Sequence, residues 1–202
     1  MGAEGPVCDC NDEIPNEKRI EKEESKNQSQ NKINDPVRNI YYETKIKEND
    51  LIFYDDDTLK EVLNLHNNYR KNHNSPSLKL NQNLCIMAKD YAKKILIERR
   101  YIVSKIYNKE VLGENIYLSN IIKSPEEILK EWYNENKNYD YSYDKFQKNT
   151  VHFTQIVWKK TTDIGLAFIT YQNICCGIVL YYPAGNKLGE FKENVEPKKQ
   201  NN

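Results

Sequence analysis

The sequence predicts a mixed α/β domain behind a charged N-terminal tail, on three observations. Four segments repeat apolar residues at helical spacing. Two longer apolar runs, 163–170 and 174–182, sit close enough together to read as paired strands. The first 50 residues, by contrast, hold 12 acidic and 8 basic side chains and few large apolar ones before Ile40. Such a segment has little apolar surface to offset the entropy of ordering, so residues 1–50 are expected to be a disordered tail. The domain is expected over 51–197, with 198–202 frayed. The tyrosine-bearing patches at 39–42 and 51–54 are the places where the tail would dock on the domain or on a membrane.

The first helix opens at Asp55-Asp56-Asp57, which offers an N-cap and first-turn acids suited to the positive end of a helix. Leu59, Val62, Leu63, Leu65 and Tyr69 form its apolar stripe, with His66 and Arg70 one turn apart. His66 has two readings, an imidazole tied to a backbone carbonyl or a ligand, and the first is preferred. After a turn at Ser75-Pro76, Leu84, Met87, Ala88, Tyr91, Ala92 and Ile95 mark a second helix from about 83 to 99. A polar link leads to an extended run over 111–118. Ser124-Pro125-Glu126-Glu127 is an N-cap with proline at N1, opening a third helix that buries Ile128, Leu129, Trp132 and Tyr133. A polar-aromatic loop over 138–146 follows, then a short helical segment bearing His152 and ending at Trp158, the two strands, and a turn at Pro183-Ala184-Gly185. No element is expected over 187–197.

Lysine plus arginine and aspartate plus glutamate each total 30, giving zero formal charge. No basic stripe is present of the kind that draws nucleic acid, so nucleic acid is not expected as a partner. No apolar run is long enough to span a membrane, and the N-terminus lacks the basic and apolar regions of a secretory signal. Five cysteines, Cys8, Cys10, Cys85, Cys175 and Cys176, form no even framework, so reduced thiols facing cytosol are expected. Cys175 and Cys176 would point to opposite faces of one strand.

Four stretches carry further meaning: His66-Asn67-Asn68-Tyr69-Arg70, Gly113-Glu114-Asn115-Ile116-Tyr117, His152-Phe153-Thr154-Gln155-Ile156-Val157-Trp158, and Tyr181-Tyr182-Pro183-Ala184-Gly185-Asn186. Taken in this order they resemble the signatures of the CAP superfamily (cysteine-rich secretory, antigen 5 and pathogenesis-related 1 proteins), and the resemblance covers about 56–197. With no signal peptide and no cysteine pattern, the intracellular, Golgi-associated branch is the one resembled. The resemblance implies a three-layer α-β-α sandwich with a small, mostly antiparallel central sheet. It also implies structural roles for His66, Asn67, Arg70 and Trp158.

In that family a cleft tetrad pairs two acids with two histidines. Glu114, Glu135 and His152 match three of its positions; the fourth falls nearest Val103, and no histidine lies between His73 and His152. The three are expected to hold separate segments together by charged hydrogen bonds. Zinc is not expected, because one imidazole is missing, and any ion held by His152, Glu114 and Glu135 would be hard and weakly bound. No cofactor is expected. Glu and His could act as acid or base, but no nucleophile is marked beside them.

The loop residues Tyr139, Tyr141 and Phe146 fit the aromatic spacing called caveolin-binding-like in sterol-binding members, and are read either as loop anchors or as a lid over sterol or other lipid. Gly2 is a candidate for myristate, although Pro6 stands where the usual pattern has serine or threonine, and Cys8 and Cys10 are candidates for palmitate. The expected function is a non-enzymatic, cytosol-facing protein that binds lipid, sterol or a membrane surface. The alternatives are a protein–protein adaptor or homodimer without lipid, and a metal-dependent hydrolase.

Overall fold

The computed structural model describes residues 46–98 and 111–199. Helix α1 (Asp56–Asn72) is capped by Asp55, whose carboxylate accepts from the Thr58 N–H at 2.8 Å. Helix α2 covers Gln82–Glu98. Helix α3 (Pro125–Asn134) starts with a reciprocal capping box between Ser124 and Glu127 and runs into a 3-10 turn, Glu135–Asn138. Helix α4 is the seven-residue Val151–Val157. These four are the helices that apolar spacing predicts.

The strands are β1 (Ile52–Phe53), β2 (Lys79–Leu80), β3 (Gly113–Ser119), β4 (Asp163–Tyr171) and β5 (Ile174–Tyr182). They form one sheet in the order β1-β4-β5-β3, antiparallel throughout that path. The two-residue β2 joins β4 in parallel at the end opposite β1.

The sheet divides two apolar layers. Leu166, Phe168, Cys175, Val179 and Tyr181 face the side covered by α1, α3 and α4. Ala167, Ile169, Cys176, Ile178 and Leu180 face the side covered by α2. The alternation is the period of two of a strand buried on both faces, which is why β4 and β5 read as nearly continuous apolar runs. Cys175 and Cys176 separate to the two faces, and both are buried free thiols. The fold is thus the α-β-α sandwich with an open, largely antiparallel sheet.

Three features differ from the sequence reading at the edges of the domain. Ile46 is 5% exposed and packs with Leu51 into the α2 layer, so docking begins ahead of the expected boundary at 51. At the other end the Lys199 N–H donates to the Asn72 carbonyl at 2.8 Å, tying the chain down past residue 197. The segment expected to lack any element contains helix α5 (Phe191–Asn194), a single turn with Phe191 and Asn194 buried. One turn is too short to show apolar periodicity.

Candidate functional site

Seven residues are too few for a helix to be stable alone, and α4 is held at both ends by side chains from elsewhere. At its start, Glu135 at the C-terminal end of α3 accepts the N–H groups of His152 and Phe153 through Oε2, each at 3.0 Å. Its Oε1 takes the His152 Nδ1 at 2.6 Å, and the His152 ring stacks on Trp132 at 5.4 Å between centroids. A carboxylate is suited to this place because helix N-termini leave unpaired donors and carry partial positive charge.

The other end is closed by α1. Arg70 is fully buried, and Nη1 donates to the carbonyls of Ile156 (2.9 Å) and Trp158 (2.8 Å), Nη2 to Thr161 (2.9 Å) and Nε to Pro76 (2.7 Å). Ser75 Oγ donates to the Val157 carbonyl at 2.6 Å. A cation therefore sits where the helix leaves unpaired acceptors and partial negative charge. Burial lowers the Arg70 pKa to about 10, which still leaves it charged near neutral pH.

The remaining signature residues pack around the same helix. Gln155 accepts the Gly185 N–H at 2.9 Å and donates to Thr161 Oγ1. A Cβ on Gly113 would lie 2.0 Å from Gln155 Oε1, and one on Gly185 would lie 2.7 Å from Nε2. Both glycines therefore make room for one amide side chain. Asn186 donates to the Val151 carbonyl (2.9 Å) and accepts from Thr154 Oγ1 (2.6 Å).

A buried polar chain links the other motifs. His66 Nδ1 lies 3.0 Å from the Val62 carbonyl, which can only accept, so Nδ1 carries the hydrogen and the neutral Nε2 accepts from Tyr181 Oη at 3.1 Å. Asn115 Nδ2 donates to Tyr181 Oη and to the His152 carbonyl, both at 3.2 Å. Asn67 closes two bonds with the backbone of Leu78. Trp158 is fully buried with its ring edge-on to Phe191, and its Nε1 has no hydrogen-bond partner among the described residues. The indispensable partners that sequence reasoning passed over are Gln155, Tyr181, Asn115 and Ser75. Three lie inside signature stretches; nothing marks Ser75 in advance.

Of the three acid and imidazole positions, the structure joins Glu135 and His152. Glu114 stands opposite Leu180 in the β3–β5 register, a position of the α2 face, whereas Gly113 and Asn115 take the α4 face. Among the described residues no group of three or more His, Cys, Asp or Glu side chains is arranged to hold a metal ion. The donor set does not fit zinc: His152 commits Nδ1 to Glu135, and both ring nitrogens of His66 and of His73 are bonded inside the protein. The two hydroxyls nearest His152 in sequence are engaged elsewhere. Thr150 donates to the Gln147 carbonyl, and Thr154 to Asn186 and to α4's own backbone. Val103, Gly2, Cys8 and Cys10 lie outside the described residues.

The aromatic loop is divided in its roles. Tyr139 is 8% exposed and packs edge-on to Phe153 in the core, and Tyr141 packs edge-on to Tyr139. Burial raises both phenols to about 12. Phe146 is 52% exposed and Tyr143 49%. Gln147 braces the loop through the backbone of Asp140, bonding both its N–H and its carbonyl.

A three-layer sandwich organised around a short, doubly capped helix, with signature residues as its caps and spacers, defines the class as a CAP-type domain. The chain belongs to this family: the model of the cysteine-rich secretory protein (CAP) family matches residues 63–182. It is 36% identical over 143 residues to the human Golgi-associated plant pathogenesis-related protein 1, covering 69% of this chain and 93% of that protein. It is 31% identical over 141 residues to mouse GLIPR1-like protein 1, covering 63% of this chain and 60% of the relative. Among solved structures it is similar to BmVAL-1, with a TM-score of 0.59 and 20% identity over 72% of this chain and 85% of that one. NaASP2, solved with Zn2+, is similar at a TM-score of 0.58 and 20% identity over 76% of this chain and 90% of that one. The structural likenesses concern the fold alone.

Proposed function

We propose that this chain is a non-catalytic CAP-domain protein that binds lipid at the cytosolic surface of an internal membrane. The carrying observation is the half-exposed Phe146, presented by a loop whose Tyr139 and Tyr141 are packed against the core. Rings at positions 143 and 146 then stand on a rigid base, and Tyr143 suits the headgroup layer because one end is apolar and the other polar. Tyr139 serves as an anchor in this reading, so contact with lipid passes to Tyr143 and Phe146. Similarity to the human Golgi-associated protein supports the compartment. The engagement of nearby hydroxyls away from His152 supports a non-catalytic role.

Vesicle co-sedimentation tests the proposal, with phosphatidylcholine vesicles alone and with added sterol or phosphatidylserine. Replacing Tyr143 and Phe146 by serine removes up to roughly 1.5–3 kcal/mol of apolar contact per ring fully inserted. The expected outcome is binding weakened at least tenfold with an unchanged unfolding midpoint. Undiminished binding of the folded double variant would refute the loop as the contact.

A further inference from the structure

We propose that the groove at the C-terminal end of α1 binds the phosphate monoester of a small polar molecule, with Lys71 and Lys199 as the charged donors to the phosphate. The site is separate from the lipid contact and does not depend on it.

The last turns of α1, the turn over 74–77 and Lys199 form this groove, which has a volume of about 470 Å³. Small-ligand clefts are usually roughly 300–1,000 Å³. The walls are fixed from several sides. Asn67 bonds both the N–H and the carbonyl of Leu78, and the Ser75 N–H donates to the Arg70 carbonyl at 3.0 Å. His73 Nδ1 donates to the Glu196 carbonyl at 2.6 Å, and the Lys199 N–H donates to the Asn72 carbonyl at 2.8 Å. The two lysines thus come from distant parts of the chain whose backbones are tied together.

Charge identifies the ligand. No acid is among the residues that form the groove, and the chain holds no aspartate or glutamate from Val62 to Lys89. On the facing segment, 195–199, the one carboxylate is Glu196. It keeps its charge when bonded, but Lys159 pairs with it and Asn74 Nδ2 donates to it at 2.6 Å. Lys199 acts on that carboxylate from beyond pairing distance. Lys71, Lys198 and Lys199 are exposed, and none is in an ion pair among the described residues.

Beneath the groove lies a fourth cation. Arg70 is fully buried, and its Nε donates to the carbonyl of Pro76, a wall residue. Its described partners are carbonyl dipoles, with no carboxylate among them. The C-terminal ends of α1 and α4 carry about half a negative charge each, which offsets roughly one of the four cations. A positive field remains, and the part of it that comes from a buried charge is weakly screened. A phosphate dianion supplies the missing countercharge. The side chains of Asn68 and Ser77 stand in the same groove and make no hydrogen bond among the described residues, so they offer neutral contacts to the rest of the molecule.

Isothermal titration of the full-length protein tests this, with glucose 6-phosphate, inorganic phosphate and, as the uncharged control, glucose. Glucose 6-phosphate is expected to bind saturably and more tightly than inorganic phosphate, and glucose not at all. Lys71→Gln with Lys199→Gln removes two charge-assisted donors and is expected to weaken binding by about tenfold or more, with an unchanged unfolding midpoint. Lys145→Gln with Lys148→Gln removes the same charge elsewhere and is expected to leave binding as it was. Equal weakening by both pairs would mean general attraction to a basic surface, and the site falls. Undiminished binding after the Lys71 and Lys199 changes, or no saturable binding by wild type, also overturns the proposal. Inorganic phosphate binding as tightly as the ester marks an adventitious ion only, and the ester falls. Phosphatidylcholine vesicles carrying phosphatidic acid present the same phosphate on a lipid. Binding to these vesicles that needs Lys71 and Lys199, without binding of the soluble ester, would put the phosphate in a headgroup and overturn the soluble ligand.

Discussion

Arg70 brings a charge into a site from which water is excluded, and its described hydrogen-bond partners are four backbone carbonyls. The guanidinium fork can serve all of them at once, which an ammonium cannot. Arg70→Met would take the guanidinium donors away from the Ile156, Trp158, Thr161 and Pro76 carbonyls and is expected to cost on the order of 3–5 kcal/mol, measured by urea unfolding; a loss below 1 kcal/mol would show that the carbonyls find other donors. His152 supports a second residue-scale prediction. With Nδ1 held by Glu135 and Glu114 on the other face of the sheet, one ring nitrogen remains for a ligand. Titration of thiol-blocked protein with zinc is expected to give no stoichiometric uptake at micromolar concentration, and tight one-to-one uptake would contradict the geometry.

Among the elements, α4 depends most on its surroundings. Its seven residues include five that are buried, so its packing is apolar while its ends need polar partners. Glu135 supplies three bonds at one end. Glu135→Ala is expected to destabilise the protein by about 2–3 kcal/mol, and Glu135→Gln by less, since the amide oxygen still caps the helix. Equal losses would mean that the negative charge, and not the acceptor, does the work. Comparison of the two unfolding curves separates these cases.

For the whole molecule, buried histidines set a pH dependence. Burial drives the His66 pKa from 6.5 to about 4, and burial also lowers that of His73. The unfolded chain then takes up protons at a pH where the folded chain does not. Stability from this source is complete above about pH 6.5 and falls as pH drops toward 4, where His66 itself protonates. His66 alone accounts for a loss of about 2 kcal/mol by pH 5. Unfolding midpoints measured from pH 7.5 to 5 are expected to decline steadily, and a flat profile over that range would show that the imidazoles protonate without cost.

The sequence by itself determined the local elements and the family. Helical spacing located α1 to α3, the Ser124 capping box fixed the start of α3, and the long apolar runs announced two strands buried on both faces, because these signals reside in neighbouring residues. Four signature stretches pointed to the fold for the same reason: each is a short run. What only the tertiary structure decided is how the runs meet. That Gly113 and Gly185 both make space for Gln155, that Arg70 closes α4, and that Tyr181 bridges His66 to Asn115 are contacts between residues 30 to 115 positions apart, which no local period encodes. The division of the aromatic loop into buried Tyr139 and exposed Phe146 was equally invisible, since both rings are apolar in sequence and only packing against Phe153 distinguishes them. Glu114 shows the limit most clearly. Its motif places it beside the other acid and imidazole, but strand alternation, anchored by Gly113 against Gln155, puts its position on the opposite face.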